Sequence, residues 1–179
     1  MVKSLRILLF ACLPFSLLFS GNAQAMEQEY ALKAGFLFNF ARYGTWTEDF
    51  SKQNQFNLCS TDDDFNDIAK QVLAGKTIAG LPIHLLTVQL TQQAIDNCQL
   101  LFVTSNSLEQ WQSQPNIQFD NVMLVGETPN FIESGGHIRF FLAASKIRFE
   151  ISPEHLKRSG LVLSSKVLRL GRIVEGAKL

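Results

Sequence analysis

Charge is what this sequence has little of. Charged side chains make up 18% of its 179 residues, against roughly a quarter in an ordinary soluble chain. Lys and Arg together number 16, as do Asp and Glu, so the formal net charge is zero. Without a basic excess there is no footprint for a phosphate backbone, which argues against a nucleic-acid binder. The signatures of chemistry are missing too. There is no HExxH, no paired CxxC and no GxSxG elbow, so no metal, cofactor or catalytic residue is expected. His84, His137 and His155 stand apart, without metal-ligand spacing. Gly75-Lys76-Thr77 ends like a phosphate-binding loop, but Lys70 occupies the place of its first glycine. Gly135-Gly136 lacks dinucleotide spacing and reads as a helix stop. Asp62, Asp63 and Asp64 lack the alternating ligands of a calcium loop and read as helix capping. A dispersed Ser-His-Asp triad is defined by geometry and lies beyond a sequence reading.

Apolar residues, by contrast, are plentiful. They make up 46% of the chain and include 15 Phe, enough to offset the entropy of ordering and exclude intrinsic disorder. Lys3 and Arg6 precede a run from Ile7 to Phe19, followed by small residues and Ala23-Gln24-Ala25. The run is too short to span a bilayer, and the pattern is that of an export leader cut after Ala25. The style is bacterial, so residues 26–179 are expected to form a single periplasmic domain. Cys12 leaves with the leader, and only Cys59 and Cys98 remain. An even count in an exported chain suits one disulfide, with two free thiols or a bridge between subunits as the alternatives. No CxxC is present, which argues against thiol-disulfide catalysis.

The patterning predicts an α/β fold: a mixed sheet flanked by helices on its faces, ending in a β-hairpin followed by helices. A nearly all-apolar helix is expected over 28–43, with a partner-facing or doubly buried surface. Strands are expected at 56–59, 76–78, 83–88, 100–104 and 122–125, separated by helices at 65–74, 91–97, 108–112 and 128–134. Strands 137–142 and 146–151 form the hairpin. Ser152-Pro153 opens a helix over 154–159, and a final helix over 165–173 buries Leu170 and Ile173.

Two sets of candidate site residues follow. Arg148 and Glu150 are two apart on a strand and share a face, while Ser164 and Ser165 sit where a helix start favours an anion. These four could line a ligand pocket; ion pairing and capping are the plainer uses. Phe36, Phe40, Tyr43 and Trp46 are the candidates for contacting a protein partner. Asn39, in an apolar helix, needs a hydrogen-bond partner if buried.

The stretch Leu32 to Tyr43 with Trp46 resembles the opening motif of the YfiR/HmsC family. Leu58-Cys59, Cys98 to Phe102, Val122 to Glu127 and Phe131 to Ile138 are similar to its later segments. Ile147 to Ser152 and Ser159 to Leu168 carry the most specific likeness, and the matches run in order from about Glu29 to Val174. The resemblance implies a periplasmic α/β protein that does no chemistry and holds a membrane diguanylate cyclase inactive by binding its periplasmic part. It implies an OmpA-like outer-membrane lipoprotein that sequesters the repressor, control of cyclic di-GMP and biofilm output, and a homodimer. The Cys59–Cys98 bridge is implied as well. Some members bind small aromatic or nucleotide-like ligands before the last helix. Here that segment reads Val162-Leu163-Ser164-Ser165, without the Arg and His of that pocket.

Overall fold

The computed structural model describes residues 20–47, 53–113 and 119–175. Most of the expected leader lies outside them. The described chain is an α/β structure with ten strands and six α-helices. Helix α1 runs Ser20–Arg42. It begins well before the apolar pattern does and buries Tyr30, Ala34, Leu37 and Ala41 along one stripe, with Phe40 beside them. Asn39 is exposed on the opposite side, where its Nδ2 donates to the Gly35 carbonyl at 3.0 Å.

After β1 (Gly44–Trp46) come β2 (Phe56–Ser60), α2 (Asp63–Val72), β3 (Thr77–Ile78) and β4 (Leu81–Thr87). Asp62 caps α2 by accepting from the Phe65 N–H at 3.0 Å. Then follow α3 (Gln92–Ile95), β5 (Leu100–Val103), α4 (Leu108–Gln112), β6 (Met123–Gly126) and the hairpin β7 (Ile138–Ala143) and β8 (Lys146–Ile151). The chain closes with α5 (Pro153–Arg158), β9 (Leu161–Leu163), α6 (Ser165–Leu168) and β10 (Arg172–Ile173).

Eight strands make one mixed sheet in the order β10-β8-β7-β6-β5-β2-β4-β3. Its centre, β4-β2-β5-β6-β7, is parallel. An antiparallel pairing flanks this centre on each side, β7 with β8 and β3 with β4, and β10 lies outside β8. Alternation along the strands divides the core in two. Phe56, Leu58, Leu100, Phe102, Met123 and Val125 face α1 and α2. Cys59, Leu101, Val103 and Leu124 face the opposite layer of Leu90, Ile95, Trp111 and Phe131. The central strands β5 and β6 are buried throughout and β2 nearly so, as continuous apolar runs require, whereas β4 and the far half of β7 reach the surface.

Three expectations change. The segment 128–134 is a set of turns, not a helix, because Asn130 takes a left-handed φ of 59° and breaks the helical path. The last helix stops at Leu168. Gly171 then lets the chain fall back against β8, where a Cβ would meet the Phe149 ring at 2.7 Å, and β10 pairs parallel with β8. Leu170 and Ile173 are therefore exposed at 73% and 51%. Finally, β1 and β9 were unforeseen; they form a separate antiparallel pair that clamps the end of α1 to the C-terminal region.

Candidate interaction surface and polar cleft

Cys59 and Cys98 are joined by a disulfide with Cα atoms 5.9 Å apart. Their strands are neighbours, yet Cys98 lies in the turn before β5. The bridge therefore ties the α3–β5 connection down onto β2.

Arg148 and Glu150 do share a face of β8. Glu150, however, takes its partners from the adjoining strands, Arg139 of β7 at 2.5 Å and Arg172 of β10. Burial alone would raise the Glu150 carboxyl, but hydrogen bonds from the two guanidinium groups and their charge outweigh it and hold it below its ordinary value. Arg148 stays exposed. The serines sit elsewhere: Ser164 caps α6, accepting from the Lys166 N–H at 3.2 Å, and its own N–H donates to the Tyr43 carbonyl. Among the described residues no hydrogen bond or ion pair joins Ser164 or Ser165 to Arg148 or Glu150.

Of the aromatic candidates, Phe40 is fully buried against Phe140 and Phe149. Trp46 is 9% exposed, its Nε1 donating to the Gln99 carbonyl at 3.2 Å. Core packing accounts for both. Phe36 and Tyr43 are half-buried, and Tyr43 lies between Arg42 and Lys166 at cation–π distance.

A polar cleft that sequence reading missed lies at the carboxyl ends of the parallel strands. From β2 the chain moves to β4 on one side, then crosses to β5 on the other. Such a reversal leaves a crevice where open α/β sheets bind ligands. Helix α1 passes over this edge. Lys33, 4% exposed, bridges Glu29 and Glu127, and Glu127 also accepts the Ser105 N–H at 2.7 Å. Beside it the Tyr30 hydroxyl donates to Asp62 at 3.0 Å, and Asn106 donates to the same oxygen. Burial, then the Asp62 charge, pushes the Tyr30 phenol well above its usual value. A cavity of about 330 Å³ opens between Lys33, Glu127, Phe140, Leu142 and Ile147, within the size of small-molecule sites. Its lysine is paired with two carboxylates, an arrangement of fixed charges that can orient a bound polar molecule. The signal in the sequence is that Lys33 is the one charged residue between Tyr30 and Ala41.

A Ser–His contact exists between His137 Nε2 and Ser159 Oγ at 3.0 Å, but it is wired against catalysis. His137 Nδ1 accepts the Leu124 N–H at 3.0 Å, so the ring proton sits on Nε2 and is donated to the serine. A base would have to accept there. Burial, with His155 and Arg158 nearby, lowers the His137 pKa to about 3 and keeps the ring neutral. Among the described residues no group of three or more His, Cys, Asp or Glu is placed to hold a metal ion.

The sequence profile of a family described as YfiR/HmsC-like matches residues 30–172. The chain belongs to the YfiR/HmsC-like family. The matched span takes in α1 from Tyr30 onward, the disulfide, the cleft apart from Glu29, and the eight-stranded sheet as far as Arg172. The YfiR/HmsC-like family is one of periplasmic, non-catalytic regulators of diguanylate cyclases. No helix among the described residues is long and apolar enough to cross a membrane. No curated protein matches the chain.

Proposed function

We propose that this chain is an exported periplasmic protein that binds the periplasmic part of an inner-membrane diguanylate cyclase and holds it inactive. Membership of the YfiR/HmsC-like family across residues 30–172 carries the reading. The leader-like segment 1–25 and the cysteine pair support it, since a disulfide belongs to an oxidising compartment. In this reading residues 26–179 act as a single binding domain, capable of self-association, and an OmpA-like outer-membrane lipoprotein relieves the repression by sequestering it. The protein does no chemistry; its surface delivers the signal. Tyr43 and Phe36, the aromatic candidates that keep surface, are proposed to contribute to partner contact. Deleting the protein should raise cellular cyclic di-GMP and biofilm output, and restoring it should lower both. Unchanged cyclic di-GMP after deletion counts against the assignment.

The cleft beside Lys33 favours a second reading, a small-ligand sensor in which occupancy tunes binding to the cyclase. A thermal-shift screen of periplasmic metabolites tests it. A ligand at a hundred times its Kd should stabilise the protein by about 2.7 kcal/mol, and a flat screen removes the support.

A further inference from the structure

The charge of the chain is segregated along its length. Between Met26 and Ile138, thirteen acidic side chains outnumber five basic ones; between Arg139 and Arg172, eight basic outnumber two acidic. The sheet order carries this separation into space, because β7, β8 and β10 are the last three strands at one side. On the face turned away from α1, the register aligns Arg139, Glu150 and Arg172 across the three strands, with Phe141 opposite Arg148. The layer covering that face further in, built on Leu90, Ile95, Trp111 and Phe131, has no buried member beyond β6. Among the described residues, that layer does not extend over this end of the sheet.

What it presents is cationic. Glu150, the one carboxylate in the array, is buried between Arg139 and Arg172. The two guanidinium groups also lie over the Phe141 ring at 5.5 and 4.8 Å, which fixes their planes. Lys146, Arg148, Arg169 and Arg172 are all exposed. Leu170 stands out just before the edge strand, and Ile173 stands out on it beside Ile151, on the side of the sheet opposite Arg172. Protein hot spots sit in packed, desolvated pockets, and neither residue lines the polar cleft beside Lys33. Cations set among isolated, outward apolar side chains match a bilayer surface, with charge at the headgroups and Leu and Ile reaching the acyl boundary.

We propose that the β7–β8–β10 end of the sheet is a peripheral attachment surface for a membrane rich in anionic phospholipid headgroups. The forked guanidinium groups engage lipid phosphates, while the acidic remainder of the molecule is held away from the bilayer. Such attachment would concentrate a regulator beside a membrane-embedded target, but it stands without that reading. The deletion phenotype and the lipid experiment can fail separately.

The test is co-sedimentation of the protein, purified after export, with vesicles of phosphatidylethanolamine and phosphatidylglycerol, beside pure phosphatidylcholine vesicles. Binding is expected to the anionic vesicles only, and to fall as salt rises. Arg148→Glu and Arg169→Glu should each weaken partitioning roughly fivefold or more. Leu170→Ser should weaken it with the charges intact, and an unchanged unfolding midpoint in each variant shows that the fold survives. Absent binding, equal binding to phosphatidylcholine, or indifference to all three substitutions overturns the proposal. Displacement by millimolar inorganic phosphate alone would reassign the surface to small free anions and overturn it equally. So would weakened binding of an acidic protein partner by the same variants with no affinity for vesicles.

Discussion

At the scale of single residues, two features make sharp demands. The Phe131 ring lies between two glycines: a Cβ on Gly136 would come within 2.2 Å of it and one on Gly126 within 2.5 Å. The ring cannot retreat from one without striking the other. Gly136→Ala should therefore destabilise the protein by about 3 kcal/mol, a fall of roughly 10 °C in Tm, measurable by thermal unfolding. Gly135 serves another need, its φ of +96°. His137 makes a pH-dependent demand. Its folded pKa of about 3 lies below the ordinary 6.5, so between those values the unfolded chain binds a proton that the native one refuses. Stability should fall as pH drops through this window, by at most about 1.4 kcal/mol per unit from this group. Glu150 adds its loss only below its ordinary 4.5, leaving pH 6.5 to 5 to the histidine. His137→Asn, which keeps an acceptor for the Leu124 N–H, should cost about 1 kcal/mol at neutral pH and flatten that slope in urea titrations. A slope that persists would refute the assignment.

At the scale of elements, the hairpin between β7 and β8 turns on Ala144 and Ser145, both at positive φ, 50° and 56°. A two-residue turn with both centres left-handed suits Asn-Gly. Ala144→Asn combined with Ser145→Gly should raise stability by about 1 kcal/mol, read as a higher denaturation midpoint in urea. The hairpin was legible in the sequence because β-branched and aromatic residues flank a short break of small residues, Ala143-Ala144-Ser145. Helix α5 was legible because Ser152 accepts from the His155 N–H and Pro153 fills the first turn, a local signal. The elements that escaped are those whose cause is distant. Strand β1 exists because Leu161–Leu163 lies alongside it, and β10 because β8 does. Leu170 and Ile173 follow Val167 at helical intervals of three, so periodicity favours a helix there, and what stops it is the distant approach of Gly171 to Phe149. Lys33 escaped for the same reason: nothing local shows that Glu127, 94 residues later, will meet it.

At the scale of the whole molecule, the disulfide closes a loop with a sequence separation of 39. In the chain-entropy model this contributes about 4 kcal/mol by restricting the unfolded ensemble. Replacing both cysteines with alanine should lower stability by up to that amount. Reducing agent should destabilise the parent and leave the double variant unmoved, which denaturation with and without dithiothreitol would show. A parent indifferent to reductant would contradict the assignment.

The clamp between β1 and β9 has a kinetic consequence. Gly44–Trp46 cannot pair until Leu161–Leu163 has been synthesised, and Phe36 and Phe40 wait for Phe140 and Phe149. A nascent chain emerging from its N-terminus thus carries an orphaned apolar helix until nearly its full length is available. Contacts so remote in sequence make for late, slow closure. The polypeptide stays threadable during synthesis, the condition in which a narrow translocation pore accepts it and in which a holding chaperone has most to grip.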